Sequence, residues 1–406
     1  MDKQFPGTNI VKLTSPSQIH RAGWVILNPW HVIENGYVKI ENKRIIEVSN
    51  NKNFLSRHKS KQIEPDYFVD HGPGVLMSPL VNAHTHLELS CFKDKVDMEK
   101  GFEDWVKKLL ELRENTDKKT IEDYAQQSIF ELYNSGILYV GEISTTGITR
   151  NILEQSPLFG VWFHEFLGTE VFGEESIFIG ESEKIHCTVA GHAPHTTSPE
   201  LLRIKKKQAN LYSLPFSIHV SESDAEMEFI KTGKGKWADF LRSRNLDFSF
   251  WDLPQKSPVI HLSKHGLLDQ LTLMVHVLNL DDQDFEKIVE SGAKVCVCPR
   301  SNMNLHGKLP LLEKMLEIGI KPALGTDSLA SCDSLSIFDE MKYIINNYNN
   351  ILPSDLVAMA TQYGADALGM GEYSGSLEPG KRADMLYIPL KARTETELLE
   401  KITGYE

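Results

Sequence analysis

The sequence predicts an α/β protein: a (β/α)8 TIM barrel carrying a small β-sandwich domain formed from both chain ends. Three observations predict it. Across residues 75–373, eight strand-like runs alternate with amphipathic helix-like runs, the pattern of parallel βα units. Histidines and carboxylates recur at the ends of several of those strand-like runs, the end of such barrels where sites form. The two termini carry short alternating segments separated by turn residues, and neither piece is large enough to bury a core alone. The expected division is therefore 1–74 with 374–406 for the sandwich, and 75–373 for the barrel. A chain of 406 residues has room for both.

Taken in order, Trp24 to Leu27, Gly36 to Ile40 and Arg44 to Val48 alternate apolar residues across turns at Asn35-Gly36 and Glu41-Asn42-Lys43, which predicts a small antiparallel sheet. Gly375 to Ile388 offers a similar closing fragment. The first barrel strand is expected from Val75 to His86, bounded by glycine and proline. The next seven are expected at Ile137–Val140, Leu158–Phe163, His186–Ala190, Phe216–Val220, Leu271–Val277, Lys294–Cys298 and Lys321–Gly325. Between them, Glu103–Glu114, Thr120–Asn134, Glu226–Arg244, Asp281–Ser291 and Leu311–Glu317 have helical periodicity.

Composition narrows the function. A formal charge of -13 argues against a nucleic-acid partner, since such proteins set a positive surface against phosphates. The dense basic run Lys205-Lys206-Lys207 falls in an expected helix and reads as a solvated face. No apolar run approaches the roughly 20 residues that span a bilayer, and the first residues lack a signal-peptide core. Five cysteines without paired spacing suit a reducing compartment, so a cytoplasmic location is expected. Cys296 and Cys298 alternate on one expected strand and read as buried thiols.

His84 and His86 are two residues apart on a strand and therefore project from one face, where two imidazoles can reach one cation. His219, followed three residues later by Glu222, ends the fifth strand; His276 lies on the sixth, and Asp327 follows the eighth. Each has a plain structural reading: a satisfied core histidine, a carboxylate at a helix start, a helix cap. Together they would require unrelated coincidences at one barrel face. Three imidazoles and one carboxylate leave a position for water on a divalent cation, the open arrangement of a catalytic site.

These residues, with Cys298-Pro-Arg-Ser-Asn302, Gly325-Thr-Asp327-Ser328 and Gly380-Lys-Arg-Ala-Asp384, make nearly the whole chain resemble the amidohydrolase superfamily. His-x-x-Glu after the fifth strand resembles its cyclic-amidine deaminase branch. That likeness implies a mononuclear centre with His84, His86, His219 and Asp327 as ligands, holding zinc or, with the same ligands, ferrous iron. Binuclear relatives add a lysine at the fourth strand end, where this chain has Gly191-His-Ala-Pro-His195. Shorter likenesses, through His86-Leu-Glu88, Phe102-x-x-Trp105 and Arg113-Glu114, point to aminofutalosine deaminases and S-adenosylhomocysteine deaminases, and imply that Glu88, Glu114 and His195 contact substrate.

The resulting expectation is a metal-dependent hydrolase of carbon-nitrogen bonds in cyclic amidines, deaminating an aminopurine nucleoside-like substrate such as aminofutalosine. Metal hydroxide would attack the ring and ammonia would leave. Asp327 would take the proton, Glu222 would carry one to the ring nitrogen, and His276 would hold the attacking oxygen. The alternatives are a hydrolase or chlorohydrolase of another heterocycle (triazine, pterin, guanine or cytosine type) and a non-catalytic metal-binding scaffold. The expected partner is a small heterocyclic molecule, with neither nucleic acid nor membrane; a homodimer is compatible with the sequence. Arg113, Arg150 and Arg300 are open candidates for a substrate carboxylate.

Overall fold

The computed structural model describes residues 7–51, 54, 68–98, 101–169, 179–180 and 182–404. Eight parallel strands form the barrel: β1 (Leu80–Thr85), β2 (Ile137–Ser144), β3 (Phe159–Phe166), β4 (Ile185–Gly191), β5 (Phe216–Val220), β6 (Thr272–His276), β7 (Lys294–Val297) and β8 (Ala323–Leu324). The strands carry near-continuous apolar runs because both faces are buried. Residues such as Val81, Phe163, Val275 and Cys296 fill one cluster, while Leu80, Trp162, Met274 and Val295 fill another that also takes in the surrounding helices.

The barrel closes between its first and last strands. The backbone N–H groups of Thr326 and Asp327 both donate to the His84 carbonyl, at 3.0 and 3.1 Å, and the His86 N–H donates to the Asp327 carbonyl at 2.9 Å. The Asn82 amide donates to Thr326 Oγ1 at 2.7 Å and its oxygen accepts from the Thr326 N–H at 3.2 Å. Gly325 makes the approach fit, since a Cβ there would lie 2.8 Å from both His84 Cβ and Cys296 Sγ.

Two small sheets built from both chain ends lie beside the barrel. One runs in the order Asn9–Ile10, Leu386–Ile388, Val75–Met77, Trp24–Asn28, His31–Glu34; the other in the order Arg44–Ser49, Tyr37–Glu41, Ser17–Arg21, Phe68–Asp70. Val38, Ile40, Leu76 and Met385 share their core.

Three local expectations change. Val75–Met77 belongs to the small sheet, pairing with Leu386–Ile388, and Ser78-Pro79 separates it from β1. The expected helix Glu226–Arg244 is two, Asp224–Thr232 and a second at Lys236–Ser243, because Gly233 ends the first in a left-handed cap at φ 65°. Lys205 and Lys206 are buried rather than solvated: the Lys205 ammonium sits 3.8 Å over the Phe166 ring, and Lys206 pairs with Asp269 at 2.5 Å. Their long aliphatic stems allow this. The closing helix Glu395–Thr403 packs on Ile337–Asn347 and Pro353–Ala360, burying Leu398 and Ile402. All five cysteines are free and buried. Among the described residues no helix is long and apolar enough to cross a membrane.

His261, in the helix Pro258–Lys264, supplies a stability prediction. It is fully buried, neither ring nitrogen has a hydrogen-bond partner among the described residues, and burial followed by the charge of neighbouring His265 lowers its pKa to about 4. The folded protein thus binds fewer protons here than the unfolded chain, whose imidazole titrates near 6.5. Stability is intact above about pH 6.5 and falls as pH drops towards 4, by up to about 3 kcal/mol from this residue. His261→Leu should flatten that slope and lose little at pH 7, because it replaces an unpartnered polar ring. Urea midpoints at pH 7 and pH 5 check it; an unchanged difference between the two would refute the assignment.

Candidate functional site

The residues singled out in the sequence meet at the carboxyl ends of four strands. His84 lies in β1 and His86 just beyond it; His219 lies in β5 with Glu222 two residues past its end; His276 ends β6, and Asp327 follows β8. The backbone bends sharply there. Ser221, His276, Val277 and Asp327 adopt positive φ of 55°, 73°, 45° and 59°, a region that costs a non-glycine residue about 1–2 kcal/mol. These turns aim the side chains inward instead of letting the strands continue.

Three imidazole Nε2 atoms converge. His219 Nε2 lies 3.2 Å from His84 Nε2 and 3.3 Å from His86 Nε2. Asp327 Oδ1 completes the group at 3.8 Å from His84 Nε2 and 3.6 Å from His86 Nε2. Metal-nitrogen bonds of about 2.0–2.1 Å in a tetrahedron require nitrogen-nitrogen edges of about 3.3 Å, so these donors fit one divalent cation. Burial, and then neighbouring histidine charge, holds His84 well below its ordinary pKa; burial also lowers His86 despite the Asp327 carboxylate. Neutral rings leave nitrogen lone pairs free for a cation. His219 Nδ1 donates to the His192 carbonyl at 2.8 Å, which keeps the proton off Nε2.

One short helix, Pro299–His306, supports three of the remaining groups. Ser301 Oγ donates to Asp327 Oδ2 at 2.6 Å, joined by Ser331 Oγ at 2.7 Å, so Oδ1 is left for the cluster. The Asn302 amide contacts His276 Nδ1 at 2.8 Å, which leaves the His276 proton on Nε2, 3.7 Å from Glu222 Oε1. His306 Nε2 donates to that same oxygen at 3.0 Å. Glu222 is buried, which opposes ionisation, but His276 and His306 outweigh burial and hold its carboxyl well below the usual range. Glu222 does not cap the following helix; Ser223 does, accepting from the Glu226 N–H.

A cavity opens over these groups, walled by Phe102, Trp105, Val106 and Leu109 from the helix Phe102–Glu114 and by Trp237 and Phe240 from Lys236–Ser243. His195 lines it, its ring 4.5 Å from Trp237. Glu88 also lines it, but its carboxylate accepts from Ser144, from Thr145 and from both the backbone and side chain of Thr146, and pairs with Arg113 at 3.2 Å. Glu114 is exposed, faces Arg244 at 3.8 Å and is not among the cavity-lining residues. Of the three candidate arginines, Arg113 lines the cavity, whereas Arg150 pairs with Glu154 and Arg300 is held by Asp333, Ser334 and Glu340.

Sequence reasoning did not find Glu165, His192 or His306. Glu165 is the penultimate residue of β3 and lies with His192 and His219 in a further group of potential ligands; the strand-end rule could have found it. His306 gives no such signal, as it stands at the end of a helix rather than a strand.

A family model described as the amidohydrolase family matches residues 75–404. The 5-methylthioadenosine/S-adenosylhomocysteine deaminase of Syntrophobacter fumaroxidans is 29% identical over 350 residues, covering 80% of this chain and 74% of the relative. The aminodeoxyfutalosine deaminase of Nitratiruptor is 27% identical over 386 residues, 90% of each chain. The crystal structure of Helicobacter pylori aminofutalosine deaminase with methylthio-coformycin superposes with a TM-score of 0.82 at 26% identity, covering 96% of this chain and 97% of the other.

Proposed function

We propose that this chain, which belongs to the amidohydrolase family, is a metal-dependent hydrolytic deaminase of aminopurine nucleoside-like substrates. The observation that carries the reading is Glu222: a buried carboxylate beside His276, lining the cavity next to a cluster of three imidazoles and an aspartate. A divalent cation on His84, His86, His219 and Asp327, zinc by the donor set with ferrous iron suiting the same ligands, would supply the Lewis acidity that makes water nucleophilic near neutral pH.

The protein groups do the proton work. Asp327, held through Oδ2 by two serines, accepts the proton of the attacking water at Oδ1. Glu222, ionised at rest, takes up a proton from solvent as substrate binds and delivers it to the ring nitrogen beside the attacked carbon, where addition builds negative charge. His276, fixed by Asn302, offers its Nε2–H to the oxygen that becomes the carbonyl. After water adds across the C=N bond, the proton held by Asp327 passes to the amino group, the adduct hydroxyl returns its proton to Glu222, and the C–N bond breaks to release ammonia and leave a ring carbonyl.

The aromatic and aliphatic cavity wall suits the substituent of a modified nucleoside, and His195 and the Glu88-paired Arg113 are placed to meet its polar atoms. Relatives named as methylthioadenosine/S-adenosylhomocysteine and aminodeoxyfutalosine deaminases support this class of substrate. The metal-loaded protein should release ammonia from at least one of adenosine, methylthioadenosine, S-adenosylhomocysteine and aminofutalosine, and more slowly from guanine and cytosine. A coupled ammonia assay decides; chloride release from a chlorotriazine without ammonia from any nucleoside would replace this reading with the chlorohydrolase one.

A further inference from the structure

The side chain that holds Glu222 lies outside every motif that marks the site. His306, the last residue of the helix Pro299–His306, donates from Nε2 to Glu222 Oε1 at 3.0 Å, and the His276 Nε2 approaches the same oxygen at 3.7 Å. Of the two imidazoles, only His306 is within hydrogen-bond distance of this oxygen, on a residue that lines the cavity. His306 is itself held from behind. Its ring stands edge-on to Phe102 at 4.6 Å, and Phe102 stacks on Trp105 at 5.9 Å and meets the edge of Trp237 at 6.2 Å. With only 6% of its side chain exposed, His306 has no room to swing away without displacing that aromatic wall.

A glutamate has a broad terminal torsion, so an unrestrained carboxylate samples many orientations. Proton delivery needs an oxygen within about 2.6–3.2 Å of the receiving atom. We infer that His306 is the positioning residue of the reaction: it pins Oε1 of Glu222 so that Oε2 stays turned toward the substrate ring nitrogen, an assignment that rests on the deaminase reading above. The aromatic wall that receives the substrate and the carboxylate that protonates it thereby form one packed unit.

The test compares His306→Ala, which removes the donor, with His306→Gln, whose amide can still donate. On the metal-loaded full-length protein, His306→Ala should lower kcat by about 10- to 100-fold, the scale of a misplaced catalytic group, with KM within about threefold and metal content unchanged. His306→Gln should recover most of that loss. Parental kcat in His306→Ala, or a glutamine variant as slow as the alanine one, would overturn the inference. A second measurement needs no turnover: in histidine-labelled protein, nitrogen NMR should show His306 protonated at Nε2 and its signal displaced by Glu222→Gln. An unmoved signal would overturn the contact even if the enzyme is active. If no nucleoside yields ammonia but the signal moves, the deaminase reading fails while the pinning of Glu222 stands.

Discussion

His219→Ala is expected to strip the metal from the protein. Its Nε2 sits 3.2 and 3.3 Å from the Nε2 atoms of His84 and His86, so it holds one corner of the group and its loss leaves two imidazoles and Asp327. Replacing a residue that merely orients a ligand lowers metal affinity about 10- to 100-fold. Removing a ligand should cost more than about 100-fold, enough for elemental analysis after dialysis against limiting zinc to read nearly empty protein. His276→Ala is the control: although its ring lies with those of His84 and His219, it is assigned to the attacking oxygen, with Nδ1 on the Asn302 amide at 2.8 Å, so its loss should keep the metal and abolish turnover. Full occupancy in His219→Ala would sink the ligand set. The histidine is strand-borne and closely packed, so circular dichroism on the same sample separates metal loss from misfolding.

Glu222→Gln should leave metal, fold and substrate binding in place and lower kcat by roughly 10²- to 10⁴-fold, about 3–5 kcal/mol of transition-state stabilisation. Glutamine preserves the shape and a hydrogen-bond donor but cannot pass on a proton. A structural role predicts the reverse outcome, a lower melting temperature with nearly parental kcat, because a helix cap contributes about 1 kcal/mol. The cap of the next helix is Ser223, and the Glu222 backbone N–H is taken by Glu226 Oε2 at 2.7 Å, so the side chain has no part in that helix start. Near-parental ammonia release by Glu222→Gln would mean that another group carries the proton.

The sequence was most legible where geometry is periodic. A strand repeats every two residues, so His84 and His86 could be placed on one face, and β5 appears where its apolar run places it, at Phe216–Val220. It was less legible where tertiary partners decide. Val75–Met77 and β1 form one apolar run to the eye, and only the availability of Leu386–Ile388 as a partner assigns the first piece to another sheet. Lys205 and Lys206 look like a solvated face until Phe166 and Asp269 are beside them. The break at Gly233 could have been read, because a left-handed glycine ends helices commonly. In the site, the strand-end residues of β1, β5, β6 and β8 were found, Glu165 near the end of β3 was missed, and the residues that orient the site from the helix Pro299–His306 were given no role. Ser301 and Asn302 stood in a quoted motif without an assigned task. His306 and Glu222 are 84 positions apart, and no local pattern connects them.

The closure between β1 and β8 has a consequence for how the chain acquires its metal. Asn82 and Thr326, whose side chains bond across that seam, are separated by 244 positions in the chain. His84 and His86 are therefore synthesised long before Asp327 can join them, and the ring must shut before all four donors face one point. Long-range closures of this kind form late and set the pace of folding. Metal uptake is thus a report on the completed barrel: a nascent or truncated chain ending before β8 would hold the three histidines without their carboxylate, and during refolding tight binding should appear with the last, slowest phase, after most of the secondary structure has formed.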